Sequence, residues 1–246
     1  MALKLAGKVV LVVGGTGGIG KEIVKLFVKE GAAVAVNSRN EQVLCKFVEE
    51  LGGSGWNVLA VPGDMSEDGH VREVFQHTIS TYGRLDILIH CAGTAQRLVS
   101  IVDLEVAEYD EVMRNNARSV FLCAREAAKY MLQQEPKEGF RGQIILFSSY
   151  MGVVGSPTVS AYCASKHAVM GLARAISKEL LPKGIRVTAI CPREVDTPMR
   201  RKVVPPNVDR SRWMSPHEIA EQVLFIVTRP FWAGYEEVVI GVPQNV

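Results

Sequence analysis

A hydroxyl, a phenol and an ammonium stand close together between Ser149 and Lys166. Tyr162 and Lys166 are four residues apart, so on a helix they share one face. Ser149 follows the apolar run Ile144-Ile145-Leu146-Phe147, which reads as a strand. A strand end therefore presents Ser149, and a helix start presents Tyr162 and Lys166. A free phenol has a pKa of about 10, and a nearby cation favours the phenolate. Lys166 is placed to make Tyr162 a general acid for a carbonyl being reduced, or a base for an alcohol being oxidised. Ser149 can hydrogen-bond the same substrate oxygen as charge grows on it. Nothing in the set is a strong nucleophile, so it needs a hydride partner. Tyr-x-x-x-Lys also arises by chance on helices, and the rest of the chain must supply that partner.

The first element to do so is at the N-terminal end. Lys8 to Val13 reads as a buried strand, and Gly14-Gly15-Thr16-Gly17-Gly18-Ile19-Gly20 leads into a helix over Lys21–Glu30. Strand, glycine-rich turn and helix N-terminus make a phosphate cradle, because backbone N–H groups and the helix dipole face the anion. The glycines fit Gly15-x-Gly17-x-x-Gly20, Gly14-x-x-x-Gly18-x-Gly20 and Gly14-x-x-Gly17-x-x-Gly20 equally well. After the second strand, Ala33 to Val36, an acidic residue would take the ribose hydroxyls of NAD. Here stand Asn37, Ser38 and Arg39. Without a carboxylate to repel a 2′-phosphate, and with Arg39 to pair with one, NADP(H) is favoured over NAD(H).

Further alternation follows: helix Glu41–Leu51, strand Val58–Val61, helix Val71–Tyr82, strand Leu85–Ile89, a long helical stretch Leu104–Leu132, a strand ending at Ser148-Ser149, helix Ala161–Leu181, strand Ile185–Ile190, a final helix opened by Ser215-Pro216-His217-Glu218, and strand Val238–Ile240. Asp64, beside Met65, can accept from an adenine amino group or cap the next helix. Of Asn115 and Asn116, one is expected to hold a water or a carbonyl near the site, the other to be exposed. The pattern predicts an α/β fold, a parallel sheet of seven strands with helices on both faces, ligand binding at the strands' carboxyl ends. The glycine loop, Asn37 to Arg39, Asp64, His90 to Gly93, Ser149 and Pro192 to Thr197 all fall at those ends.

The 246 residues suffice for one well-cored domain over 1–246. A net charge of +2 argues against nucleic acid or a membrane surface as the main partner. No apolar run approaches the roughly 20 residues of a membrane span. The five cysteines are scattered singly and the five histidines form no ligand set, so no metal is assigned and a reducing, cytoplasmic compartment is expected.

With Ser149 thirteen residues before Tyr162-x-x-x-Lys166, the chain resembles the short-chain dehydrogenase/reductase family over essentially its full length. The spacing matches the single-domain members and so selects the Gly14, Gly18, Gly20 register. Gly83 to Leu88 and Pro192 with Val195 to Met199 match as well. The resemblance implies a Rossmann-like doubly wound sheet and a nicotinamide cofactor held by Gly14, Thr16, Gly17, Gly18, Ile19, Gly20, Ser38, Arg39, Asp64, Met65, Cys91, Ala92, Gly93, Tyr162, Lys166, Pro192, Val195 and Thr197. It implies Asn116 as a fourth catalytic residue ordering a water, Lys166 on the nicotinamide ribose, and Val195 and Thr197 on the carboxamide. It further implies NADPH-dependent carbonyl reduction, reversible as secondary alcohol oxidation, in a homo-tetramer or homo-dimer joined through the two long helices. Three departures stand out. Val13 replaces a threonine, His90-Cys91 replace two asparagines, and Arg193 replaces a glycine, which would be strained if its φ is positive. They motivate the alternative of a cofactor-binding regulator or scaffold. Arg193, Arg200 and Arg201 raise the question of an anionic substrate against that of a solvated basic loop. Tyr150, Met151, Val153 and Trp213 are candidate pocket residues.

Overall fold

The computed structural model describes residues 3–137 and 139–242. Seven parallel strands form one sheet in the order β3-β2-β1-β4-β5-β6-β7. They are β1 (Val9–Val13), β2 (Ala33–Ser38), β3 (Val58–Pro62), β4 (Ile87–His90), β5 (Gly142–Phe147), β6 (Ile185–Pro192) and β7 (Glu237–Ile240). The helices are α1 (Gly18–Lys29), α2 (Glu41–Gly52), α3 (Asp68–Tyr82), α4 (Val106–Met113), α5 (Ser119–Gln133), α6 (Ser160–Leu180), α7 (Pro198–Val203) and α8 (Pro216–Val227). The expected α/β, Rossmann-like architecture is present. Among the described residues no helix is long and apolar enough to cross a membrane.

β1 is an unbroken apolar run because both of its faces are covered. Successive side chains alternate: Leu11 and Val13 enter a core with α3, α5 and α6, whereas Val10 and Val12 enter one with α1, α2 and α8. Asp86 pins the amino end of β1, accepting the Val9 N–H at 2.9 Å while Arg84 Nε donates to its other oxygen at 2.9 Å. At the far side Arg186 threads between layers. Its Nη2 donates to Gln143 Oε1 at 2.6 Å and its Nη1 to the Pro230 carbonyl at 2.9 Å.

Three local readings are corrected. α1 begins at Gly18 rather than Lys21, because the glycines themselves make its first turn. Asp64 does not cap α3. Its carboxylate accepts from the Ser66 N–H at 2.9 Å and hydroxyl at 2.8 Å, two residues on, and α3 starts at Asp68. The stretch expected as one regular helix over 104–132 is interrupted by a wide π turn at Arg114–Arg118, where the Ser119 N–H donates to the Arg114 carbonyl five residues back. The extra residue in that turn brings both Asn115 and Asn116 inside, so neither is the exposed asparagine expected.

Candidate active site

β5 ends at Phe147, and the chain turns at Ser149 into a short 3₁₀ turn over Tyr150–Gly152. α6 then rises alongside, with Tyr162 and Lys166 on the face toward that turn. Both line one cleft of about 620 Å³ with Ser149. Lys166 Nζ lies 5.6 Å from the Tyr162 ring centroid and donates to the Phe147 carbonyl at 3.0 Å. Burial pushes the Tyr162 phenol up, while a hydrogen bond with Ser149 and the positive charge of Arg200 pull it down. Lys166 itself is pushed down to about 8 by burial. Burial outweighs both, so the phenol stands above its ordinary value in this arrangement, with Lys166 Nζ on the cleft side of α6 beside it.

Asn116 lies beneath the cleft rather than in its wall. Its Oδ1 accepts the Thr94 N–H at 2.7 Å, and its Nδ2 donates to the Thr94 carbonyl and to Ser165 Oγ, each at 3.0 Å. Both amide hydrogens are committed to holding the loop after β4 against α6, which leaves a lone pair on Oδ1 for a further partner. Sequence reading also missed Gln96. Its Oε1 accepts the Tyr162 N–H at 3.0 Å and so anchors the first turn of α6, where no side chain of the helix caps it. A lone glutamine in a loop carries no motif, and only the tertiary approach gives it this place.

A nicotinamide nucleotide fits the other half of the cleft on two counts. The N-terminus of α1 carries no side-chain cap and no acidic residue in its first turn, so its N–H groups are open to an anion. The cradle is also closed to side chains: Gly14 has φ +82°, and a Cβ on Gly20 would lie 2.2 Å from the Gly14 carbonyl oxygen. Gly14, Gly17, Gly18, Ile19, Gly20, Cys91, Ala92, Gly93, Pro192, Val195 and Thr197 all line the cleft. The remaining expected cofactor residues lie off it. Thr16 and Ser38 are joined by a 2.8 Å hydrogen bond, and Met65 is buried in the core. Exposed Arg39 reaches Asn115 Oδ1 at 3.4 Å. Burial works to raise the Asp64 carboxyl, but its Ser66 hydrogen bonds, with Arg39 and Arg114 nearby, hold it low.

The departures at Cys91 and Arg193 have physical answers. Cys91 Sγ donates to the Val13 carbonyl at 3.1 Å, and burial pushes the thiol up to about 12, so it is a small packed hydrogen-bond donor and no nucleophile. Thr158 is the one non-glycine residue with positive φ among those described, so Arg193 carries no such backbone strain. Its guanidinium lies 3.4 Å from the Tyr150 ring centroid. Arg200 is held in a fork by Glu194 at 2.7 and 3.0 Å, and Arg201 likewise by Asp196 at 2.6 Å for both bonds. Tyr150, Met151 and Trp213 line the cleft. Val153 does not, because it points to solvent.

The family model for short chain dehydrogenase matches residues 8–207. The chain is 36% identical over 203 residues to secoisolariciresinol dehydrogenase of Forsythia intermedia, covering 82% of this chain and 71% of that one. It is 30% identical over 233 residues to a 3-oxoacyl-(acyl-carrier-protein) reductase of Thermotoga maritima, covering 92% of each. The crystal structure of gox2181 superimposes with a TM-score of 0.89 at 26% identity, over 97% of this chain and 95% of that one. A nucleotide cradle, a hydroxyl-phenol-ammonium cluster beside it and a match through most of the chain converge on one conclusion: this protein belongs to the short-chain dehydrogenase/reductase family, oxidoreductases that interconvert alcohols and carbonyls with a nicotinamide cofactor.

Proposed function

We propose that the protein is an NADPH-dependent carbonyl reductase, reversible as a secondary alcohol dehydrogenase, with Ser149, Tyr162, Lys166 and Asn116 as its working set and one domain carrying both cofactor and substrate. The observation that carries this reading is the meeting of Ser149, Tyr162 and Lys166 in the cleft that the glycine cradle opens. When bound, the nicotinamide supplies or takes the hydride. Tyr162 gives its phenolic proton to the carbonyl oxygen in reduction and takes it back in oxidation. Ser149 shares a hydrogen bond with that oxygen and steadies its growing charge. Lys166, held at the Phe147 carbonyl, keeps a cation behind the phenolate, while the pull of Arg200 is opposed by its partner Glu194. Asn116 fixes the floor by clamping Thr94 to Ser165.

The preference for NADPH rests on the end of β2. Asn37 is buried and spends its amide on the Val61 and Gly63 carbonyls, and Ser38 and Arg39 follow it with no carboxylate. Arg39 is exposed and free to swing from its long contact with Asn115 toward a 2′-phosphate. A homo-oligomer and a cytoplasmic setting complete the proposal.

A panel of ketones and aldehydes tests it. Wild-type enzyme is expected to favour NADPH over NADH by at least about tenfold in kcat/KM, the worth of one charge-assisted phosphate contact. Tyr162→Phe should lower kcat by about 10²- to 10⁴-fold. Equal turnover by that variant would falsify the mechanism. The second reading, a cofactor-binding regulator, was motivated by Arg193 and His90-Cys91. Arg193 is unstrained and Cys91 finds a backbone partner, which weakens that reading, while His90 stays buried without one.

A further inference from the structure

Among the described residues lining the cleft, and leaving aside Lys166 on its carbonyl, charged side chains lie beside opposite charges, with one exception. Glu194 is taken by both forks of Arg200, and the Asp209 carboxylate accepts the Ser211 N–H at 2.9 Å and hydroxyl at 3.0 Å beside Arg212. Arg193 has no carboxylate. Among the described residues no hydrogen bond or ion pair engages its guanidinium, and its Nη1 is sealed from solvent without a partner. What it has is the Tyr150 ring, 3.4 Å below. Stacking occupies the face of a guanidinium and leaves its in-plane donors clear, and here Nε and Nη2 are not sealed as Nη1 is. It also fixes the plane, so less freedom is lost when a planar anion docks. A cation so placed and so undersupplied calls for a negative partner.

Position says where that partner sits. Tyr150 follows Ser149 directly, and Arg193 follows Pro192 at the end of β6. Ser149, Tyr150, Tyr162 and Arg193 all line the one cleft, so the guanidinium shares it with the two groups that meet the carbonyl oxygen. We infer that the substrate carries a carboxylate a few bonds from its reacting carbon, a short oxo acid or hydroxy acid, and that Arg193 on its Tyr150 shelf is the residue that selects it. The inference rests on the proposed carbonyl chemistry and adds the substrate's charge to it. Arg200 and Arg201 take no part, since each already holds a carboxylate of this chain.

Matched pairs of 2- and 3-oxo acids and their methyl esters, assayed with NADPH, test the assignment. Wild-type kcat/KM should favour the acid over the ester by about tenfold or more, the scale of a charge-assisted bond. Arg193→Ala should lower that acid-to-ester ratio at least about tenfold, chiefly through KM for the acid, and Arg193→Lys should restore part of it. An ester preference in the wild type, or the same ratio in wild type and Arg193→Ala, would overturn the assignment. A rise in KM for NADPH without a change in ratio would overturn it too, by giving Arg193 to the cofactor's phosphates. Should no carbonyl be reduced at all, the proposed reaction fails, and calorimetric titration of the NADP⁺-bound protein with an acid and its ester still decides the inference. Tighter binding of the acid that is lost in Arg193→Ala supports it, and equal binding of both sinks it.

Discussion

Burying the imidazole of His90 without a partner carries a cost that pH exposes. The side chain is 0% exposed, and neither ring nitrogen has a hydrogen-bond partner among the described residues. Burial first, and the charge of Lys166 second, push its pKa from 6.5 down to about 3. Between those values the unfolded chain takes up a proton that the folded chain refuses, so stability falls as pH falls from 6.5 toward 3. The slope is about 1.4 kcal/mol per pH unit. Lys166 acts in the opposite range. Its pKa lies at about 8 in the fold against 10.5 ordinarily, so the unfolded chain holds more protons there and stability rises with pH between those two values. Urea midpoints taken from pH 7 to 5 should therefore drop more steeply for the wild type than for His90→Asn, and parallel curves would rule the argument out. What could be read at this scale from the chain alone was whatever has a fixed spacing: Ser149, Tyr162 and Lys166 sit on a strand end and one helix face. Gln96, Thr94 and Ser165 could not be read, because their partners lie 66, 22 and 49 positions away and no local pattern marks such a meeting.

Elements explain why so much of the fold was legible and where reading failed. The strands announce themselves as apolar runs because a parallel sheet is covered on both faces, and α8 opens with the capping box that Ser215 and Glu218 suggest. The glycine loop showed that a nucleotide is wanted, while its register stayed open on spacing alone, since five glycines satisfy three patterns. Geometry picks out single glycines rather than one of the patterns, and Gly20 belongs to all three. Gly14 turns through the left-handed region, and Gly20 passes so close to the Gly14 carbonyl that no side chain fits. Gly20→Ala is accordingly expected to displace the first turn of α1, raising the dissociation constant for NADPH at least about tenfold and lowering the unfolding midpoint, since overpacking of this kind costs roughly 1–3 kcal/mol. Unaltered nucleotide affinity in that variant would show that the close approach does not matter. The break between α4 and α5 was invisible because a π turn has no composition of its own; Asn115 and Asn116 look like any polar pair until both are found inside.

At the scale of the whole molecule, chemistry and scaffolding occupy opposite rims of the sheet. The site gathers at the carboxyl ends, and Asp86 with Arg84 secures the amino end of the central strand. Apolar side chains outside both rims stand in water. Val102 before α4, Val106 at its start and Phe121 on α5 are 83%, 74% and 46% exposed. Burying such a surface against a second copy is how the proposed oligomer would form. Sedimentation at micromolar concentration should then give a dimer or tetramer mass, and a monomer would dismiss it. The π turn, finally, sets a rule about chain length. Removing one residue between Arg114 and Arg118 would take out the extra residue and return the helix to its ordinary winding, so that Cys123, Ala127 and Met131 keep their places against the sheet. Asn115 and Asn116 could then no longer both turn inward, and the clamp on Thr94 would let go. A one-residue deletion at this spot, unlike one elsewhere in α4 or α5, should therefore leave a folded protein with lowered turnover, and loss of the folded state would show that the wide turn also holds the helix in place.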